Sequence, residues 1–399
     1  MSKRILLIAA TTGYQTRAFA EAAARAGFEI VLATDRCHIL EDPWGDHAIP
    51  VRFEDPLGAA GLIASTVRVD GIVALGDRPA HVAAIVAARL GIPYNSPDAT
   101  AACRNKFLAH QRFQAAGLPT PRFYQIALQD DPSPHALGAD YPCVLKPLSL
   151  SASRGVIRAN NALEFIAAFE RIRALLAAPE EFLQVESFIP GREFALEGLV
   201  EHGALRVLAL FDKPDPLDGP FFEETIYVTP SRANVAVQAA IVETAQRAVH
   251  ALGVEHGPVH AEMRVNDKGV WMLEVAARPI GGLCARVLPG LEELILRHAA
   301  GEPVGALDAT TGSGVMMISI PAAGVYAGVE GVEEACATPG IVDMTITAKT
   351  GQKLVPLPEG NSYLGFIFSK AAAPAEAEDA LRLAHAKLRF TILAALPVV

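Results

Sequence analysis

The sequence predicts an α/β protein: a small parallel-sheet unit followed by a larger mixed α+β region. Three observations carry that expectation. Apolar strand and helix patterns alternate from the first residues. A chain of 399 residues that is 51% hydrophobic supplies the cores of two or three domains. The middle of the chain holds a hairpin with paired acidic residues. At the start, Ile5 to Ala9, a helix from Thr16 to Ala26, Gly27, and Phe28 to Ala33 form a βαβ unit. The polar Thr11-Thr-Gly13 follows its first strand. Gly71 to Leu75 and Gly91-Ile-Pro-Tyr94 continue it as strands with a helix between them, to about Thr100. No complete G-x-G-x-x-G is present, so a dinucleotide role has little support.

Lys106 comes next, in Cys103-Arg-Asn-Lys106-Phe-Leu, opening a helix that stops at Gly117-Leu-Pro119. Its ammonium lies near the positive end of that helix, where anions are attracted. Lys146 ends the apolar strand Pro142-Cys-Val-Leu-Lys146. A small-residue loop follows, Ser149-Leu-Ser151-Ala-Ser153-Arg154-Gly155, whose N–H groups and hydroxyls suit a polyphosphate. Phe182 to Ser187 reads as an apolar strand carrying Gln184 and Glu186, with Phe188 beyond it. The Pro190-Gly191 turn then presents Glu193 at the start of the strand Phe194 to Val200, with Glu197 two pleats on. The segment Leu210 to Thr225 is a stiff insert, and its Lys213, Glu223 and Glu224 are candidates for meeting a carboxylate or an amino group.

The hairpin is the most informative stretch. Val259 to Val265 and Val270 to Val275 read as strands, and Asp267-Lys268-Gly269 suits a three-residue loop. That loop makes Glu262 and Glu274 direct cross-strand partners, about 5 Å apart at Cβ. Such a pair repels itself unless a cation or a shared proton intervenes, and a hard divalent ion is the natural occupant. A symmetric two- or four-residue loop would send the glutamates to opposite faces, as in an ordinary solvated hairpin. Beyond the second strand lie Arg278, Gly281 and Gly282. Arg286 sits on an expected helix, Leu283 to Leu288, and Gly314 to Pro321, Gly340 to Ala348 and the helix Ala375 to Lys387 complete the chain.

Composition narrows the function. A net charge of −10 with no Lys/Arg block leaves no basic stripe for nucleic acid. The five cysteines, Cys37, Cys103, Cys143, Cys284 and Cys336, lack C-x-x-C spacing, so neither a disulfide framework nor a zinc site is indicated; they read as buried residues in a reducing compartment. The first apolar run is too short for a secretory core. No stretch approaches a membrane span of roughly 18 apolar residues.

Taken in order, Lys106, Lys146 with its loop, Phe182 to Glu193, Glu262 with Glu274, and Arg278 resemble the ATP-grasp superfamily over essentially the whole chain. The Ser-Arg-Gly-Val loop ending and the Glu274-x-x-x-Arg278-x-x-Gly281-Gly282 run are most similar to the amino-acid ligase and biotin carboxylase-like branches. The resemblance implies an ATP-grasp fold. A Rossmann-like domain would occupy 1–103, an ATP-grasp domain 104–306 with a mobile lid at about 114–186, and a small α+β domain 307–399. It implies ATP, with Lys106, Lys146, Ser151, Ser153, Gly155, Gln184, Glu186, Phe188 and Glu193 around it, and Mg²⁺ or Mn²⁺ on Glu262 and Glu274. Arg278, Lys146, Gly281 and Gly282 would be catalytic, and Lys213, Glu223 and Arg286 would meet substrate. The implied reaction joins a small-molecule carboxylate to an amine through an acylphosphate, in a cytoplasmic and homodimeric enzyme. A bicarbonate-activating carboxylase and a non-catalytic ATP-binding module are the alternatives. One departure stands out: Ala276 occupies the Asn position of the family's usual Glu-x-Asn-x-Arg.

Overall fold

A computed structural model describes residues 2–10, 15–35, 48–176, 181–307 and 311–394. Cys37 and the polar segment 11–13 lie outside them. The first unit runs β1 (Arg4–Ala9), α1 (Thr16–Ala26), β2 (Glu29–Thr34), β3 (Ile49–Pro50), α2 (Pro56–Thr66), β4 (Gly71–Leu75) and α3 (Asp77–Leu90). Its strands pair in parallel in the order β3-β2-β1-β4. The strand expected at Gly91–Tyr94 is absent: Gly91, at φ 68°, caps α3 in the left-handed region, and Pro93 follows too soon for a ladder to form. The fourth strand is instead Ile49–Pro50, which pairs with β2 at the opposite edge from β4 and is too short to leave a sequence pattern. Two helices, α4 (Pro97–Arg104) and α5 (Lys106–Ala115), lead out of this unit.

The next sheet is antiparallel: β5 (Phe123–Ala127), α6 (Pro132–Gly138), β6 (Cys143–Pro147), β7 (Ile157–Ala159), α7 (Ala162–Leu175) and β8 (Phe182–Ser187), in the order β5-β8-β6-β7. It has its own core, in which Leu145, Ile157, Leu183 and Val185 pack on Phe165, Phe169 and Ile172 of α7.

The rest of the chain is built around one eight-stranded sheet. β9 (Arg192–Glu201), β10 (Ala204–Asp212), β11 (Ile226–Thr229), α8 (Val235–Leu252), β12 (His256–Asn266), β13 (Gly269–Ala276) and α9 (Leu291–Ala299) precede β14 (Gly312–Ile318), β15 (Gly324–Glu330) and α10 (Val332–Cys336). Then come β16 (Ile341–Ile346), β17 (Lys353–Leu354), β18 (Gly365–Ala371), α11 (Pro374–His385) and β19 (Arg389–Leu393). The sheet order is β13-β12-β9-β10-β11-β14-β18-β16, so the strands after residue 311 extend the sheet begun at residue 192. Only β17, β15 and β19 form a separate small sheet. Between β13 and α9, the helix expected at Leu283–Leu288 is a single 3₁₀ turn, Cys284–Val287. Cys103, Cys143 and Cys284 are buried, whereas Cys336 is exposed, contrary to expectation, at the end of the short α10.

Alternation along β9 explains how a buried sheet still presents a polar face. Phe194, Leu196 and Val200 pack against α5 and α8, while Ala195 and Leu199 join a core shared with Leu7, Phe19 and Leu75 of the first unit and with α9. The first unit is thus bonded through apolar contact to the large sheet. A Cβ at Gly71 would stand 2.1 Å from the Ala299 carbonyl oxygen, so only glycine lets β4 abut α9.

Candidate functional site

Register places the acidic residues. Glu262 is the direct partner of Glu274 across β12 and β13, as expected, but by a different device. The turn is a two-residue one, with Asn266 paired to Gly269, which alone would set Glu262 opposite Leu273. A bulge at Leu273 shifts the register by one and returns Glu274 to the face of Glu262. On the other side of β12, Glu193, Ala195 and Glu197 of β9 face Arg264, Glu262 and His260. One face of three strands therefore carries Glu193, Glu197, His260, Glu262, Arg264 and Glu274.

The charges on this face are closely paired. Lys213, just past β10, is buried and donates to Glu193 at 2.9 Å, Glu224 at 2.7 Å and Glu262 at 3.1 Å. Carboxylate oxygens of those three glutamates lie within 4.8 Å of one another. Burial opposes the Lys213 charge, but the three carboxylates outweigh it and hold its pKa well above the ordinary lysine value. Arg264 donates to Glu193 at 3.0 Å and Tyr227 to Glu224 at 2.7 Å. His260 lies 3.2 Å from Glu197 and 3.4 Å from Glu262; against burial, hydrogen bonds to both raise it to about 9, so it is cationic at neutral pH. Ala276, in place of the asparagine, is the cross-strand partner of this histidine.

Lys106 reaches the same face, and Lys146 is tied to it through Glu186 and His110. Lys106 Nζ lies 3.1 Å from Glu274 Oε2 and donates to the Leu150 carbonyl at 2.8 Å, so it touches both the hairpin and the small-residue loop. Asn105 caps the helix that begins at Lys106 by accepting from Phe107 and Leu108 N–H groups. Lys146 Nζ is 2.7 Å from Glu186, which also accepts from Gln184 at 2.8 Å and lies 3.6 Å from His110 Nε2. His110 sits one turn along α5 from Lys106 and bonds its carbonyl at 2.8 Å, linking the two lysines. Among the described residues, His110 Nε2 and Gln184 Oε1 are buried without a hydrogen-bond partner.

The remaining expected residues divide. β8 is an interior strand, paired with β5 and β6, so its backbone through Glu186 is consumed by the sheet rather than offered to a base. Phe188 stacks under the Arg158 guanidinium at 4.2 Å and near Phe222. In the loop, Ala152 and Ser153 both have positive φ beside Gly155, whose N–H donates to Pro358 O at 2.8 Å; Ser151 is exposed. Glu223 is turned to Ser319 and Ile320, and burial raises its pKa. Arg286 pairs with Asp343 and stacks on Phe368, outside the acidic group. Glu197 is fully buried, accepting from Ile280 N at 3.0 and 3.2 Å. Arg278 donates from Nε to Asp77 at 3.0 Å, and Gly281 and Gly282 follow in the same loop. A cavity of about 650 Å³ opens elsewhere, between α7 and the insert, lined by Arg158, Glu164, Arg171 and Phe221; it does not touch the hairpin.

Sequence reading missed Asp77, His110, Tyr227, His260 and Arg264. Only His260 and Arg264 carried a signal, sharing the face of Glu262 by strand period.

Residues 139–287 match the ATP-grasp domain family, and 316–392 match the L-amino acid ligase C-terminal domain 2 family. A D-alanine–D-alanine ligase of Magnetococcus marinus is 30% identical over 233 residues, covering 54% of this chain and 68% of that protein. The crystal structure of an L-amino acid ligase from Bacillus licheniformis superposes with a TM-score of 0.82 at 25% identity, covering 98% of this chain and all of that one. A carboxyaminoimidazole ribonucleotide synthase from Aspergillus clavatus, complexed with ATP, shares the fold: TM-score 0.74, 18% identity, 96% and 98% covered. The chain belongs to the ATP-grasp family of ATP-dependent carboxylate–amine ligases.

Proposed function

We propose that the chain joins two amino acids, or an amino acid and a similar small amine, through an acylphosphate, releasing ADP and phosphate. The observation that carries this reading is the Lys106 ammonium, which meets Glu274 of the hairpin and the Leu150 carbonyl of the loop at once. Cations and carboxylates from distant parts of the chain thereby meet, the arrangement that a triphosphate requires.

The donor set fits a hard divalent cation, because Glu193, Glu224 and Glu262 already converge on a positive charge and Glu274 faces Glu262. Mg²⁺ is the assigned ion, and Mn²⁺ suits the same oxygens. When bound, such an ion neutralises phosphate charge and aligns the transferred group. Lys106 and Lys146 neutralise further phosphate charge, exchanging their carboxylate partners for it. Gln184 and His110 supply polar atoms for the base, with Glu186 and Phe188 beside it, and Ser151, Ser153 and Gly155 close over the phosphates. Glu193 serves either the ion set or the ribose hydroxyls.

A substrate carboxylate oxygen attacks the γ-phosphorus, the bond to ADP breaks, and an acylphosphate forms. The amine nitrogen then attacks the activated carbonyl and loses a proton; phosphate departs with its bonding pair. Arg278, aided by N–H groups near Gly281 and Gly282, stabilises the tetrahedral oxyanion between these events. Lys213 and Glu224 border the amine side. A cytoplasmic, homodimeric enzyme of three domains, the middle one with a lid, suits this role.

The test is ADP and phosphate release across pairs of amino acids, with mass analysis of the product. Amide formation with ADP supports the reading, and AMP as product overturns the acylphosphate route.

A further inference from the structure

Arg278 does not stand alone on the large sheet. Its Nε donates to Asp77 Oδ1 at 3.0 Å and its Nη2 approaches Asp77 Oδ2 at 3.5 Å, while Nη1 donates to the Pro279 carbonyl at 3.1 Å. Those contacts use three of the five guanidinium N–H groups and leave two for substrate. Asp77 belongs to the first unit: it opens α3 directly after Gly76, at φ 115°, where the chain turns sharply off the C-terminal end of β4. A second side chain of that unit, Gln15 at the head of α1, donates to the Ile280 carbonyl. The Ile280 N–H is in turn held by buried Glu197 of β9. The loop bearing Arg278, Gly281 and Gly282 is therefore suspended between the parallel-sheet unit and the large sheet.

Electrostatics favours a fixed orientation. Burial would raise the Asp77 pKa, yet Arg278 overcomes it and holds the carboxyl below the ordinary aspartate value. Asp77 is thus a carboxylate at neutral pH, the counter-charge to the guanidinium.

We propose that Asp77 is a positioning residue for the ligase reaction: it aims the Arg278 guanidinium at the reacting carbonyl, which makes the N-terminal unit an obligatory part of the active site. This inference rests on the proposed oxyanion role of Arg278. Truncating Asp77 frees the guanidinium to turn, and misplacement of this kind costs about 10²-fold in rate.

The experiment compares kcat and KM for the unmodified chain, Asp77→Ala, Asp77→Asn, Asp77→Glu, Arg278→Ala and the double Ala variant, using the amino-acid pair that gives the fastest ADP release. Expected are a fall in kcat of about 10²-fold in Asp77→Ala and Asp77→Asn with KM for ATP within about threefold, partial recovery in Asp77→Glu, and little further loss when Asp77→Ala is added to Arg278→Ala. A merely structural clasp predicts additive losses and no recovery by glutamate, and that outcome overturns the proposal. So does an Asp77→Ala variant as fast as the unmodified chain. If the unmodified chain makes no ADP with any pair, the oxyanion reading itself fails and takes the proposal with it. If Asp77→Ala does not fold, Asp77→Asn, nearly isosteric, decides by the same criteria.

Discussion

At the scale of single residues, the candidate site is a set of charges that neutralise one another. Glu274 spans two tasks, facing Glu262 and pairing with Lys106. Glu274→Gln keeps its volume and removes its charge, so kcat is expected to fall by about 10²-fold or more while circular dichroism is unchanged; undiminished turnover at ordinary Mg²⁺ would remove the residue from the site. His110 gives a pH test. Burial, reinforced by Lys146, pushes it down to about 4, so it is neutral when folded and titrates near 6.5 when unfolded. Its contribution is present above pH 6.5 and lost as pH falls toward 4, by roughly 3 kcal/mol in all. Urea midpoints between pH 7 and pH 4 should fall less steeply in His110→Asn than in the unmodified chain, and equal slopes would exclude this histidine. The residues named by motif, Lys106, Lys146, Glu262, Glu274 and Arg278, were legible because Lys106 opens a helix, Lys146 lies near the end of a strand, and Glu262 and Glu274 share a face by strand period, with Arg278 just beyond the second strand. Asp77 and His110 were not, because their importance lies in contacts with partners 201 and 76 positions away, which no local pattern encodes.

Among elements, the loop after β6, β7 and the helix α7 are bonded to groups from two other regions. Arg171 pairs with both oxygens of Glu359 at 2.8 and 2.9 Å, and Arg154 donates to the Glu359 carbonyl at 2.9 Å. From the insert, Pro220 accepts from the Arg158 N–H at 2.9 Å and Asp218 O from its side chain at 2.7 Å. The Arg171–Glu359 pair is about 40% exposed, so Glu359→Ala should cost at most about 1 kcal/mol of global stability. It should nevertheless raise the rate of proteolytic nicking in residues 149–155 severalfold, with ATP restoring protection. Unchanged nicking would mean that the latch does not govern opening. Strands at the hairpin were legible from their alternation, but the bulge at Leu273 was not. An apolar residue out of phase reads as noise in the pattern until the partner strand shows what it displaces.

For the whole molecule, the continuity of the eight-stranded sheet decides what is separable. β14, β18 and β16 hydrogen-bond in series onto β11, so a chain ending near residue 310 would expose the β11 edge and strip the shared core of Val315, Met317, Phe366 and Phe368. Such a truncation is expected to be insoluble or to unfold without cooperativity in calorimetry; a soluble, cooperative product would show that the last part is a detachable domain. Fold class and the order of the parts were legible from alternation and motif order, since both are local or sequential. The shared sheet was not, because pairing between β11 and β14 joins segments about 85 residues apart without a turn signal. The account's central claim is that both lysines and the acidic hairpin enclose one nucleotide. Calorimetric titration with Mg²⁺ and a non-hydrolysable ATP analogue measures it most directly, in the unmodified chain and in Lys106→Gln and Lys146→Gln. The account predicts saturable one-to-one binding, weakened at least about tenfold by each substitution, the loss expected for a charged hydrogen bond. Binding of equal strength in all three proteins would contradict it.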